Sequence, residues 1–149
     1  MERFESYLFS GTEEWRSTRD CTFRQSDEDH TSAQRANNTA IRELYSHRAY
    51  RRHIISTPLE HSSVSGTLTA LQEKDSEIDL LDIMRDGMVD CEQLEDLMTK
   101  HTVLISVCAI DSELGTIQPI DKIIEIKKKY PDCRLHVDER RQLDESIFF

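Results

Sequence analysis

The stretch TVLISVCAI, residues 102–110, is an essentially continuous apolar run. A run of this kind marks a strand covered on both faces, the situation of a central strand in a parallel sheet. It constrains everything around it, because helices must lie above and below it. The flanking sequence supplies them. SAQRANNTAIRELYSHRAYR places Ala36, Ala40, Ile41, Leu44 and Tyr45 near helical spacing and predicts a helix over about 32–49. RHIISTP is a short β-branched run stopped by Pro58, which predicts a strand. In EHSSVSGTLTALQEK the serine cluster offers N-caps, and Val64, Leu68 and Leu71 follow at helical spacing. SEIDLLDIM predicts a second strand, with a turn around Asp86–Gly87. DCEQLEDLMTKH predicts a helix capped by Asp90, with Leu94, Leu97 and Met98 on one face. After the apolar run, QPIDKIIEIKKKY predicts a helix with Pro119 in its first turn, stopped by Pro131, and CRLHV predicts the last strand.

From residue 32 helices and strands therefore alternate. This order argues for an α/β fold: a partial, mostly parallel sheet with right-handed crossovers and helices on its faces. Residues 1–31 sustain no period and are expected to be irregular, with at most a short helix near Ser6–Trp15. Residues 32–138 form the predicted domain, and 139–149 are left as an unmatched tail.

Composition narrows the function classes. A net charge of −10 over 149 residues argues against nucleic-acid binding, which asks for a basic stripe. The one basic run, Lys127–Lys129, falls in the last turn of a predicted helix, where cations suit the macrodipole, and is expected to be a solvated helix end. No apolar run approaches the roughly 20 residues that cross a bilayer, and the N-terminus is acidic where a signal peptide is basic. The expected setting is cytoplasmic, with no membrane partner. The four cysteines, Cys21, Cys91, Cys108 and Cys133, form no C-x-x-C pair and have no histidine at ligand spacing. No metal site is expected, and Cys108 and Cys133 read as small core residues.

Ligands of open parallel sheets bind outside the carboxyl ends of the strands. Those ends carry Glu60 and His61, then Asp111, Ser112, Glu113 and Gln118, then Asp138. Singly, each has an ordinary explanation as a loop residue. Together they place a carboxylate and an imidazole on one edge. A carboxylate facing a ring nitrogen holds that nitrogen protonated, and an imidazole stacks on a planar heterocycle.

The order of four segments carries a resemblance. HIISTPLEHSSV, TVLISVCAIDSELGTIQPI and CRLHVD, with the passage DGMVDCEQLEDLMTKHTVLISV between them, resemble the cysteine desulfurases of the NifS/IscS type in the class-V aminotransferase family. NNTAI, residues 37–41, resembles the start of the helix that follows that family's phosphate loop. The resemblance spans about residues 31–138. It implies a fold type I pyridoxal 5'-phosphate enzyme, usually a homodimer. Such an enzyme takes sulfur from L-cysteine, leaves alanine, and passes a persulfide to sulfur-accepting proteins for iron–sulfur cluster assembly or thiolation. It also implies three cofactor-binding residues: His61 over the ring, Asp138 at the pyridine nitrogen, and Ser112 where many members have an asparagine near the ring hydroxyl.

Departures are equally visible. The family's Schiff-base lysine follows a histidine; none of Lys74, Lys100, Lys122, Lys127, Lys128 and Lys129 does, so no catalytic residue is assigned. No persulfide-cysteine loop is present. Glu139, Arg140 and Arg141 replace the usual Ala-Thr-Gln, and TSAQRA replaces a Ser-Gly-Ala-Thr-Glu phosphate loop. These departures suggest a truncated or frameshifted desulfurase, inactive alone. The competing readings are a non-catalytic interaction module that keeps part of the fold, and a small α/β enzyme using Asp138 and His61 in acid–base work.

Overall fold

The computed structural model describes residues 2–9, 41–42, 53–111 and 113–142, with side chains for 41–42, 53–111 and 113–138. The strands are β1 (Glu2–Phe9), β2 (His53–Ser56), β3 (Glu77–Leu80), β4 (Thr102–Cys108) and β5 (Arg134–Gln142). The helices are α1 (Ser62–Gln72), α2 (Cys91–Leu97) and α3 (Ile120–Lys128). The sheet order is β1-β5-β4-β2-β3. The four strands from β3 to β5 run parallel, and β1 lies antiparallel against β5. This is the mostly parallel α/β sheet that the alternation predicts.

β4 is buried along its whole length, as its composition requires. One face of the sheet presents Ile55, Ile105, Val107, Leu135 and Val137 to Leu94 of α2 and Ile123 and Ile126 of α3. The other presents Ile54 and Leu104 to Val64, Leu68 and Leu71 of α1, and to Ile41. Ile41 and Arg42 are helical, in line with the helix expected there; the rest of 32–49 lies outside the described residues.

Four local expectations are corrected. The sequence pattern puts the start of the tail after Asp138, but β5 continues to Gln142, paired through its backbone with β1. Glu2–Phe9 is a strand rather than irregular chain, because the free edge of β5 accepts a backbone ladder; the remainder of 10–31 lies outside the described residues. The N-cap of α1 is His61 instead of a serine: its Nδ1 accepts the Ser63 backbone N–H at 3.2 Å. Lys127 is buried at 2 % exposure, so only Lys128 and Lys129 form the charged helix end, paired with Glu125 and Glu95. Asp90 caps α2 as expected, accepting from Glu92 and Gln93.

Gln118, grouped above with the binding-edge polar residues, serves a different purpose. It is buried, donates from Nε2 to the Gly87 carbonyl at 3.0 Å, and accepts the Val89 N–H at 2.9 Å. It thereby clamps the 86–89 turn against the loop after β4. Gly87 has φ +81°, and a Cβ there would lie 2.6 Å from Thr116 Oγ1. Gly87→Ala is therefore expected to cost about 1–2 kcal/mol through the left-handed backbone and that clash, measured as a lower urea midpoint at unchanged m-value.

Candidate functional site

The chain leaves β2 towards β3 through α1 on one face, and leaves β4 towards β5 through α3 on the other. The loops after β2 and β4 thus diverge from neighbouring strands, and such a switch point opens a crevice at the carboxyl ends. A cleft of about 160 Å³ lies there. It is lined by Pro58, Leu59, Glu60 and His61 after β2, by Cys108, Ile110, Asp111 and Glu113 at the end of β4, and by Asp138 of β5.

Asp138 is 7 % exposed and is the register partner of Cys108. Its carbonyl accepts the Ala109 N–H at 2.9 Å, which ties the end of β4 to β5 where they meet the cleft. Asp111 closes the loop that follows. Its Oδ2 accepts the Leu114 N–H at 2.7 Å, and its carbonyl accepts the N–H of Gly115, whose φ is +68°. His61 is exposed and lines the cleft. Because Nδ1 accepts from the Ser63 backbone, the ring's hydrogen sits on Nε2 in the neutral form.

Glu60 has the least expected environment. Its Oε1 accepts the Cys108 backbone N–H and the Thr57 hydroxyl. Its Oε2 is buried with no hydrogen-bond partner among the described residues. Burial first, and repulsion from Asp138 second, push the Glu60 carboxyl up to about 8, against the hydrogen bonds that Oε1 accepts from Cys108 and Thr57. Burial likewise pushes the Cys108 thiol up to about 12, with the Glu60 and Asp138 charges adding to it. A thiol so placed is a poor nucleophile.

A polar layer underlies the cleft. Ser106 and His136 are register partners, two residues below Cys108 and Asp138 on the same sheet face. Ser106 Oγ lies 3.1 Å from His136 Nδ1, and Ser56 donates to the Ser106 carbonyl at 3.2 Å. Burial alone lowers the fully enclosed His136 imidazole to about 4, which keeps it neutral.

The structure thus brings His61 and Asp138 to one cleft, while Ser112 lies outside the described residues. The residue that sequence reasoning under-weights is Glu60. The signal that points to it is its position, directly before His61 at the switch point. Among the described residues four carboxyl-bearing ones line the cleft and no lysine or arginine does, so their chemistry suits a cationic group rather than a phosphate. The segment that resembles a phosphate loop, around residues 31–36, lies outside the described residues. Among the described residues no cluster has the make-up of a metal site.

Comparison with known proteins gives one direction. Residues 30–143 match the family model described as aminotransferase class-V. A NifS/IcsS protein homolog of Lactobacillus delbrueckii subsp. bulgaricus is 37 % identical over 114 residues, which are 76 % of this chain and 30 % of that protein. A mitochondrial cysteine desulfurase of Arabidopsis thaliana is 32 % identical over 109 residues, 72 % of this chain and 24 % of that protein. Among solved structures, a NifS-like protein superposes with a TM-score of 0.66 at 27 % identity, covering 89 % of this chain and 31 % of its own. The chain therefore spans less than a third of the length of these relatives.

Proposed function

The chain belongs to the class-V aminotransferase family, in its NifS/IscS branch, and from that premise we propose that its described residues form the part of a cysteine desulfurase site that receives the ring of pyridoxal 5'-phosphate. The observation that carries this is the convergence of Asp138 and His61 on one acidic cleft at the sheet's switch point. The fit is to the ring end of the cofactor: a mostly buried carboxylate on the cleft wall suits a protonated pyridine nitrogen. When bound, pyridoxal phosphate supplies an electron sink. Asp138 holds the proton on the ring nitrogen by a charge-assisted hydrogen bond. His61, fixed through Nδ1 at the N-terminus of α1, offers its ring as a stacking surface. The family resemblance assigns Ser112, which lies outside the described residues, to the ring hydroxyl.

The proposed substrate is L-cysteine, with alanine and a persulfide as products. The proposal extends to a homodimer, to sulfur-accepting protein partners and to a cytoplasmic setting. Its support there is the family alone, together with the fact that no helix among the described residues is long and apolar enough to cross a membrane. Among the described residues no lysine lines the cleft, and the one cysteine that does, Cys108, has a thiol held protonated by burial. These residues therefore bind and orient, while the amine and the reactive thiol of the reaction are not supplied by the described residues of this cleft. The expected result is that the purified chain binds pyridoxal phosphate, seen as a shift of its absorbance band, yet releases no sulfide from cysteine above a cofactor-plus-reductant background. Turnover above that background would show that an amine and a thiol are supplied after all. An unshifted band at saturating cofactor would overturn the binding role.

A further inference from the structure

Glu60 has no part in the ring-binding role just described, yet it is the most unusually placed carboxyl among the described residues. It shares the cleft wall with Asp138, Oε1 is anchored on the Cys108 N–H, and Oε2 is buried with no hydrogen-bond partner among the described residues. Cys108 and Asp138 are register partners, so the anchor places Glu60 beside the Asp138 position of β5. Two ionised carboxylates in one poorly solvated pocket repel strongly, and one of them keeps its proton.

We propose that Glu60 and Asp138 form an acid–carboxylate pair in which Glu60 holds the proton, so that between them they present one negative charge to a protonated ring nitrogen. This deepens the cofactor reading and rests on it for the identity of the ring. Glu60 is a positioning residue: it sets the charge of the pocket and acts through Asp138. The titratable groups facing it are His61 from the start of α1, Cys108, Asp111 and Glu113 from the end of β4 and its loop, Asp138 from β5, and His136 in the layer beneath. Burial keeps the Cys108 thiol and the His136 ring neutral through the range in which Glu60 titrates. When a cation neutralises Asp138, the repulsion that holds the Glu60 proton falls, and part of that proton leaves to solvent.

The pair is tested without ligand by infrared spectroscopy of the full chain carrying ¹³C-labelled glutamate. A protonated carboxyl band is expected at pH 7, disappearing with a midpoint near pH 8. Asp138→Asn removes the repulsion and should lower that midpoint by about one pH unit. Absence of the band at pH 7, or a midpoint indifferent to Asp138→Asn, overturns the pair. Calorimetry with pyridoxal phosphate at pH 7.5, in buffers of different ionisation enthalpy, then tests the coupling. The parent should release roughly half a proton more than Glu60→Gln. Equal proton counts overturn the coupling. If neither protein takes up the cofactor, the ring assignment fails, and the infrared midpoints alone decide the pair. Should Glu60→Gln not fold, the midpoints of the labelled parent and of Asp138→Asn still confirm or overturn the pair.

Discussion

Asp138→Asn is expected to weaken pyridoxal phosphate binding by roughly 10- to 100-fold, and His61→Ala by no more than about 10-fold. The asymmetry follows from the two contacts. A charge-assisted hydrogen bond from a pyridinium to a mostly buried carboxylate is worth about 1.5–3 kcal/mol. A ring stack contributes about 0.5–1.5 kcal/mol, and His61 is exposed and already engaged in capping α1. Asparagine keeps the size and the register of β5 but cannot hold the ring proton. The penalty should therefore grow as pH rises past the free pyridine's own pKa, where the parent still retains the protonated ring. His61→Ala also removes an N-cap, so its stability must be checked by urea unfolding; a cap is worth about 1 kcal/mol. A titration by absorbance or fluorescence quenching measures both affinities. Equal affinities of Asp138→Asn and parent would return Asp138 to the status of a structural residue of β5.

The second large effect is on folding. Stability is expected to hold nearly level from about pH 4.5 to 6.5 and then to fall by roughly 2 kcal/mol towards pH 8. Glu60 has a folded-state pKa raised from 4.5 to about 8 by burial and then by Asp138. Between those values the folded chain holds a proton that the unfolded chain has lost, so stability drops as pH rises, at about 1.4 kcal/mol per unit. His136 works in the opposite sense. Burial lowers it from 6.5 to about 4, so between those values the unfolded chain binds the extra proton and stability increases with pH. The two slopes offset each other where they overlap, and above pH 6.5 only the Glu60 slope remains. Urea midpoints at pH 5.5, 6.5 and 8 measure the profile. Glu60→Gln should flatten the alkaline limb, and His136→Asn should turn the level region into a decline with rising pH. A parent equally stable at pH 6.5 and 8 would show that the Glu60 carboxyl is not held neutral.

How much of this is legible in the sequence differs from element to element. β4 can be read directly, because an apolar run bounded by turn residues has one comfortable place, inside a parallel sheet. Asp90 can be read as a cap because its chemistry acts within three residues of itself. The predicted helix 118–130 appears as Ile120–Lys128, where the apolar spacing puts it, but the burial of Lys127 is not visible in the pattern. A lysine's stem lies down on apolar surface only when a neighbouring element provides that surface. The extension of β5 to Gln142 is hidden for a related reason: a charged sequence becomes strand when another strand pairs with its backbone.

The site divides along the same line. His61 and Asp138 can be singled out because each stands at the carboxyl end of a predicted strand, a property of local pattern. Motif order is enough to indicate the family, since the spacing of strands and turns is written along the chain. Glu60 shows what has to wait for the fold. Its carboxyl meets the backbone of Cys108, 48 positions away, and its proton is held by burial and then by the charge of Asp138 on a third strand. Local sequence determined the apolar strands, the helices and the Asp90 cap, because those choices depend on neighbours within a few positions. The sheet order decided which carboxyls share a pocket, and electrostatic interaction depends on distance through space and on the loss of water rather than on separation along the chain.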